Sequence, residues 1–143
     1  MYEKQDWSDV YGETPFNADR MKHIEDGIYE NSLDNVYSTD EVFTGKYSED
    51  GKKIYRKIIK NVTINQGTAI KVSVANVDIE TLITLKGMLY SAGLKQWFTI
   101  PSYYSSTIFV SANLYYPEKN ILVDCIGIEG IARFTIEYTK TTD

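Results

Sequence analysis

The sequence is poor in the residues that most catalytic and metal sites require. Its 143 residues include one cysteine, Cys125, and one histidine, His23. A lone cysteine excludes an internal disulfide and a multi-cysteine zinc site, and a lone histidine leaves little from which to build a catalytic triad. Cys125 lies in an apolar segment and is expected in the core. No glycine-rich phosphate loop occurs. We therefore expect no enzyme, no catalytic residues, no cofactor and no metal.

Two further absences concern partners. Lysine and arginine are scattered and the net charge is −5, so the chain is not expected to bind nucleic acid. No apolar run approaches the roughly 20 residues that cross a bilayer, and the first ten residues lack the apolar segment of a secretory signal. We expect a soluble protein, made in a reducing cytoplasm and not inserted in a membrane.

One stretch, TPFNADRMKHIEDGIYEN at residues 14–31, has the pattern of an α-helix, which we place at about residues 17–33. Asn17 is a good N-cap. A helix of about 16 residues is marginal alone and needs a partner. Its apolar stripe has the spacing of a coiled-coil seam and is narrow, which favours helices of other copies as that partner. The predicted oligomer interface comprises Met21, Ile24, Ile28 and Asn31. The alternative is that the helix packs on its own β domain.

After the helix, short strand-like segments alternate with turns. Asp50-Gly51 is a strong hairpin signal, with strands predicted near Glu41–Tyr47 and from Lys52 toward Ile59. Later segments are separated by NQG, SAG, SYYS, PEKN and EG. Roughly seven or eight short strands without intervening helices predict an antiparallel β-sandwich. We divide the chain into an attachment or oligomerisation segment, residues 1–37, and a sandwich domain, residues 38–143.

The 12 tyrosines include several in or near turns of the second half of the chain. Two consecutive tyrosines on a strand place one ring on each face of the sheet. Exposed rings beside polar residues make platforms for sugar rings or for a protein partner. We therefore predict a saccharide or partner surface formed by Trp97, Tyr103, Tyr104, Tyr115 and Tyr116. The alternative is that these rings only cover the ends of the sandwich.

Three blocks of the sequence resemble parts of bacteriophage structural proteins. DWSDVYGETPFNADRMKHIEDGI, residues 6–28, resembles the N-terminal segment of many phage tail and baseplate proteins. YSTDEVFTGKYSEDGKKIYRKII, residues 37–59, resembles the start of a β domain common in phages of Gram-positive hosts. FTIEYTKTTD, residues 134–143, resembles the C-terminal strand of such fibre proteins.

The resemblance implies a virion component, commonly trimeric, whose N-terminal segment docks to the particle or trimerises. It also implies an exposed β domain, which in some such proteins binds host-surface saccharide. The chain differs in having no long fibre shaft, which implies a compact appendage on tail, baseplate or head. The expected partners are thus copies of the chain in a homotrimer, other virion proteins and a host cell-surface saccharide. The alternative function is a monomeric carbohydrate-binding module without catalytic activity.

Overall fold

The structure of the protein is a computed structural model that describes residues 18–34, 36–67, 69–74 and 77–142. Within these ranges lie one α-helix, α1 (Ala18–Leu33), and nine strands. The strands are β1 (Val42–Tyr47), β2 (Lys53–Ile64), β3 (Ile70–Ser73), β4 (Thr81–Ser91), β5 (Gln96–Ile100), β6 (Ser102–Ser105), β7 (Ile108–Tyr115), β8 (Asn120–Ile126) and β9 (Gly130–Thr139). The predicted N-cap Asn17, and the part of the first phage-like block before Ala18, lie outside the described residues.

The strands form two antiparallel sheets. The five-stranded sheet has the order β1-β2-β9-β4-β5, and the four-stranded sheet has the order β3-β8-β7-β6. One hydrophobic cluster contains buried residues from both sheets, as expected for a sandwich whose inner faces pack together. The predicted fold class is therefore confirmed: the protein is mainly β, with an N-terminal helix followed by two antiparallel sheets.

The core follows from strict alternation along the strands. In β9, Phe134, Ile136 and Tyr138 are fully buried, while Arg133, just before them, and Thr135, between the first two, face outward. Because side chains alternate with a period of two, this single strand separates an apolar inner face from a polar outer face. β9 lies at the centre of the five-stranded sheet, so its outward residues lie in the middle of that sheet's outer surface.

The lone cysteine is a core residue, as predicted. Cys125 in β8 is fully buried, and its Sγ lies 3.4 Å from the carbonyl oxygen of Asn65. Burial raises the pKa of this thiol above its usual value, because the thiolate would lose its solvation. A buried, protonated thiol behaves as a small apolar group and is unreactive.

The hairpin predicted from Asp50-Gly51 is present. β1 pairs with β2 in antiparallel orientation, and Gly51 has a φ of +79°. The backbone N–H of Ser48 donates to the carbonyl oxygen of Lys52 at 2.8 Å, which closes the turn. A left-handed φ is inexpensive for glycine alone, so the turn type follows directly from the sequence.

One predicted turn is instead a strand. The sequence predicts that SYYS, residues 102–105, separates two strands, but it forms β6 at the edge of the four-stranded sheet. Tyr103 lies opposite Phe109 of β7. Tyrosine favours strands, and the backbone pairing with β7 overrides the turn preference of the flanking serines. The structure therefore has more strands than the sequence predicted.

The helix lies against the edge strand β1 of the five-stranded sheet. The closest approach is at Gly45, where an added Cβ would lie 1.8 Å from the carbonyl oxygen of Glu30. Only a glycine permits this contact between two backbones. Beside it, Lys46 Nζ lies 2.8 Å from a carboxylate oxygen of Asp34, the residue that follows the helix. These contacts set where α1 meets the sandwich.

Candidate functional site

The predicted helix seam lies on the surface of the single chain. Ile24 is 52% exposed and Ile28 is 47% exposed, Asn31 is also exposed, and Met21 is half-buried. With 3.6 residues per turn, Leu33 lies on the side of the helix opposite Ile24, and Leu33 is buried. The stripe of Met21, Ile24, Ile28 and Asn31, which we call the helix seam, is thus not the face that α1 turns toward β1.

A second surface begins where the chain leaves the helix. The linker between α1 and β1 is described at residues 34 and 36–41. The backbone N–H of Ile58 in β2 donates to the carbonyl oxygen of Ser38 at 2.8 Å, which holds the linker alongside the sheet. Arg56, on the same strand, is only 5% exposed. Its guanidinium Nη2 lies 3.0 Å from a carboxylate oxygen of Asp34, and its Nε donates to Glu137 of β9 at 2.8 Å. Arg56 therefore joins the end of the helix to the centre of the sheet.

The charge of Arg56 is maintained despite its burial. Desolvation would lower the pKa of this guanidinium, but hydrogen bonds to Glu137 and Asp34 outweigh it and raise the pKa. On the other side, hydrogen bonding to Lys46 holds the pKa of Asp34 below its usual value, with a further contribution from Arg56. The ion pairs of Arg56 and Asp34 stabilise the position of the linker.

The linker places one aromatic ring over the outer face of the sheet. Tyr37 is 64% exposed, and the guanidinium carbon of Arg56 lies 4.6 Å from its ring centroid. This distance is that of a cation–π contact, worth about 0.5–2 kcal/mol depending on exposure. Arg56 therefore fixes Tyr37 as well as the backbone around it.

Cavities open on both sides of Tyr37. The first has a volume of about 530 Å³ and runs toward Lys86, Met88 and Thr99. The second, of about 510 Å³, runs toward Lys60 and Trp97. Both cavities are lined by Tyr37, Ile58 and Arg133, so together they form one elongated depression. We call it the Tyr37 groove, lined chiefly by Tyr37, Ile58, Lys86, Trp97, Ile131 and Arg133.

One end of the groove carries an aromatic platform. Phe98 and Ile100 of β5 face the core, so Trp97 and Thr99, which alternate with them, face outward. Trp97 is 56% exposed. The ring of Tyr90 on β4 lies beside it, with a centroid separation of 5.1 Å and an interplanar angle of 47°. Ile131 of β9 pairs with Tyr90 and is also exposed. The platform is apolar and faces solvent.

The charged residues that line both cavities are all basic. They are Lys86 in the first cavity, Lys60 in the second and Arg133 in both, and no carboxylate is among the described lining residues of either cavity. Within the part of the chain that the structure describes, these three side chains form no ion pair. An adjoining cavity shares Tyr37, Lys86 and Thr135 with the first one. It contains Asp34 and Glu137, whose carboxylates Arg56 and Lys46 already engage. The groove is thus a local basic surface on a chain of net charge −5.

The structure does not gather the predicted aromatic surface into one place. Trp97 lies on the outer face of the five-stranded sheet, whereas Tyr103 and Tyr115 face outward from the four-stranded sheet. Tyr103 pairs with Phe109 near the start of β7 and Tyr115 ends that strand, so they are about 20 Å apart. The side chains of Tyr104 and Tyr116 lie outside the part of the structure that is described.

Most residues of the groove carry no local signal that singles them out in the sequence. Of its lining residues, only Trp97 belongs to the predicted saccharide or partner surface, and Tyr37 is the last residue of the predicted attachment or oligomerisation segment. The alternation of β9 already indicated that Arg133 faces outward. Its proximity to Tyr37, Lys86 and Trp97 depends on strand order, which no local signal gives.

The described residues contain no helix long and apolar enough to cross a membrane. In the same ranges, no group of three or more histidine, cysteine, aspartate or glutamate side chains is placed to hold a metal ion. Comparison with known proteins finds no matching family model, curated protein or solved structure.

Proposed function

We propose that the chain is a compact structural appendage of a bacteriophage virion, assembled as a homotrimer through the helix seam. In this proposal the sandwich is displayed outward and contacts the host surface. Three sequence blocks support the phage assignment, as set out above. The position of the helix seam on the surface supports the assembly.

The observation that carries the assembly is the exposure of Ile24 and Ile28. They are 52% and 47% exposed, one turn apart on the face of α1 directed away from β1. Covering the exposed half of an isoleucine stabilises an assembly by about 1 kcal/mol. In a trimer this gain is repeated on every copy, and a polar Asn31 at the end of the stripe sets the register between helices.

Size-exclusion chromatography with light scattering tests the assembly. Ile24→Asp and Ile28→Asp should convert a trimer into monomers, because each places three carboxylates in an apolar interface. Lys22→Asp introduces the same side chain on an exposed position of α1 away from the seam, and should leave the mass unchanged. Equal masses for all four proteins, wild type included, would contradict assembly through the seam.

The virion assignment has its own test. Phage particles from the source culture are purified by density gradient, and their proteins are identified by peptide mass spectrometry. The proposal expects peptides of this chain in the particles, at several copies per virion. Peptides found in the cell lysate but absent from particles that contain capsid protein would contradict it.

The groove favours a second candidate, a monomeric carbohydrate-binding module. An elongated depression with an aromatic platform suits a sugar chain whether or not the protein assembles. A wild-type mass of one chain, combined with saccharide binding, would select this candidate over the virion appendage.

A further inference from the structure

We propose that the Tyr37 groove binds an acidic saccharide, a sugar chain that carries carboxylate, phosphate or sulfate groups. This inference deepens the proposed function, on which it rests for the idea that the sandwich contacts a host glycan. It names the surface that makes the contact and the chemical class that the surface recognises.

The charge of the groove selects an anion. Lys86 of β4 lies opposite Thr135 of β9, so its diagonal neighbours on β9 are Arg133 and Glu137, and the Glu137 carboxylate is already bound by Arg56. Such neighbours have Cα atoms about 7–8 Å apart, and the side chains of lysine and arginine are long enough to reach one anionic group between them. Neither is engaged by a carboxylate of the described chain. An anion here would therefore be held by charge-assisted hydrogen bonds.

The shape of the groove selects a chain of sugars over a single small ion. Each cavity is within the range of about 300–1,000 Å³ that small-molecule sites occupy, at about 530 and 510 Å³. The two meet beneath Tyr37 and share Arg133. A ligand that fills both must be elongated, with its acidic group near Arg133 and further rings extending toward Trp97.

The remaining lining suits hydroxyl-rich rings. Thr99 and Thr135 line the first cavity, and Ser38, Thr39 and Asn61 line the second. Their hydroxyl and amide groups both donate and accept hydrogen bonds, as sugar hydroxyls do. The exposed face of Trp97 carries negative quadrupolar charge that attracts the C–H groups of a sugar ring.

A single-stranded nucleic acid fits the groove less well. Such polymers require a basic path that follows many successive phosphates. Here the basic residues of the groove are only Lys60, Lys86 and Arg133, too few for such a path. A short oligodeoxythymidine is therefore the negative comparison in the test.

The test is an array of carboxylated, phosphorylated, sulfated and neutral oligosaccharides, with an oligodeoxythymidine included, probed with the full chain. We expect the chain to bind acidic oligosaccharides and not to bind neutral oligosaccharides of the same backbone. The retained acidic class identifies the anionic group. Retention of the oligodeoxythymidine alone, equal retention of acidic and neutral forms, or no retention of any saccharide would each overturn the proposal.

Variants then locate the site by titration calorimetry with the best-retained acidic oligosaccharide. Arg133→Gln removes a charge-assisted hydrogen bond, and Trp97→Ala removes the stacking face. Each variant should therefore weaken binding about tenfold or more. Lys22→Gln removes a positive charge far from the groove, and Tyr47→Ala removes an exposed ring that lines neither cavity of the groove. Both controls should bind within about twofold of wild type. Equal losses in variants and controls would place the site elsewhere.

Circular dichroism confirms that each variant is folded. Saccharide binding and the mass of the assembly together separate this inference from the proposed assembly. A trimer that retains no saccharide overturns the groove alone. A monomer that binds acidic oligosaccharides through Arg133 overturns the assembly alone.

Raising the salt from about 0.15 M to about 1 M shortens the screening length from about 8 Å to about 3 Å, so the affinity for the acidic oligosaccharide should fall.

Discussion

The guanidinium of Arg56 lies against the ring of Tyr37, 4.6 Å from its centroid, while it also binds Asp34 and Glu137. One buried side chain thus connects the end of the helix, the linker and the central strand of the five-stranded sheet. Tyr37 in turn lines both cavities of the groove. Arg56 therefore connects the helix that carries the seam with the Tyr37 groove, the two surfaces to which we assign function.

Replacing Arg56 with methionine should destabilise the fold substantially. Methionine keeps most of the volume but leaves Asp34 and Glu137 without their shared cation, at an expected cost of about 2–4 kcal/mol. Urea unfolding followed by circular dichroism measures the loss. Lys57→Met, at the adjacent position of β2, removes a charge that forms no ion pair within the described chain, and its cost should be much smaller. Similar costs for the two variants would show that the Arg56 contacts contribute little.

Gly45 and Gly51 form a matched pair for testing how the helix docks. Both have left-handed backbones, with φ of +77° and +79°, so alanine at either position should cost about 1–2 kcal/mol from backbone strain. At Gly45 the added Cβ would also lie 1.8 Å from the carbonyl oxygen of Glu30, whereas at Gly51 nothing lies within 4 Å.

Gly45→Ala should therefore lower stability more than Gly51→Ala and should also displace α1 from β1. Urea unfolding gives the stability, and hydrogen exchange of the α1 amides reports the docking. Faster exchange of α1 in Gly45→Ala only is the expected result. If both variants leave α1 equally protected, the close backbone contact is not what holds the helix.

Asp34 should make the linker sensitive to acid. Hydrogen bonding to Lys46, and then to Arg56, holds the pKa of Asp34 below its usual 3.8. Its carboxylate therefore adds stability at pH values above the unfolded pKa, and this contribution is lost as the pH falls through the lower folded pKa.

The check is the free energy of unfolding of wild type and Asp34→Asn between about pH 6 and about pH 2. The wild type should be more stable near neutral pH, and the difference should shrink toward acid. A difference for Asp34→Asn that stays constant with pH would contradict the assigned ion pairs.

Local signals in the sequence were sufficient for the helix and the hairpin. The predicted helix at about residues 17–33 matches α1 (Ala18–Leu33) in its described part, because a stripe with helical spacing ends where the linker begins. Asp50-Gly51 correctly placed the turn between β1 and β2. In both cases the decisive interactions lie within a few residues of one another along the chain.

The groove could not be predicted in the same way. Tyr37, Lys86 and Arg133 come from three distant segments, and they meet only because β9 lies between β2 and β4. Trp97 and Tyr103 show the converse. They are only six positions apart in the sequence, but their rings lie on the outer faces of different sheets. Neighbourhood on a sheet surface depends on strand order, which is set by packing of the whole core.

The most direct measurement for the central claim is the native mass of the wild-type chain over a range of dilutions. We expect a species of about three times the 16.4 kDa chain mass, held together by Ile24 and Ile28, that dissociates only on strong dilution. A mass of 16.4 kDa at every concentration would contradict assembly through the helix seam.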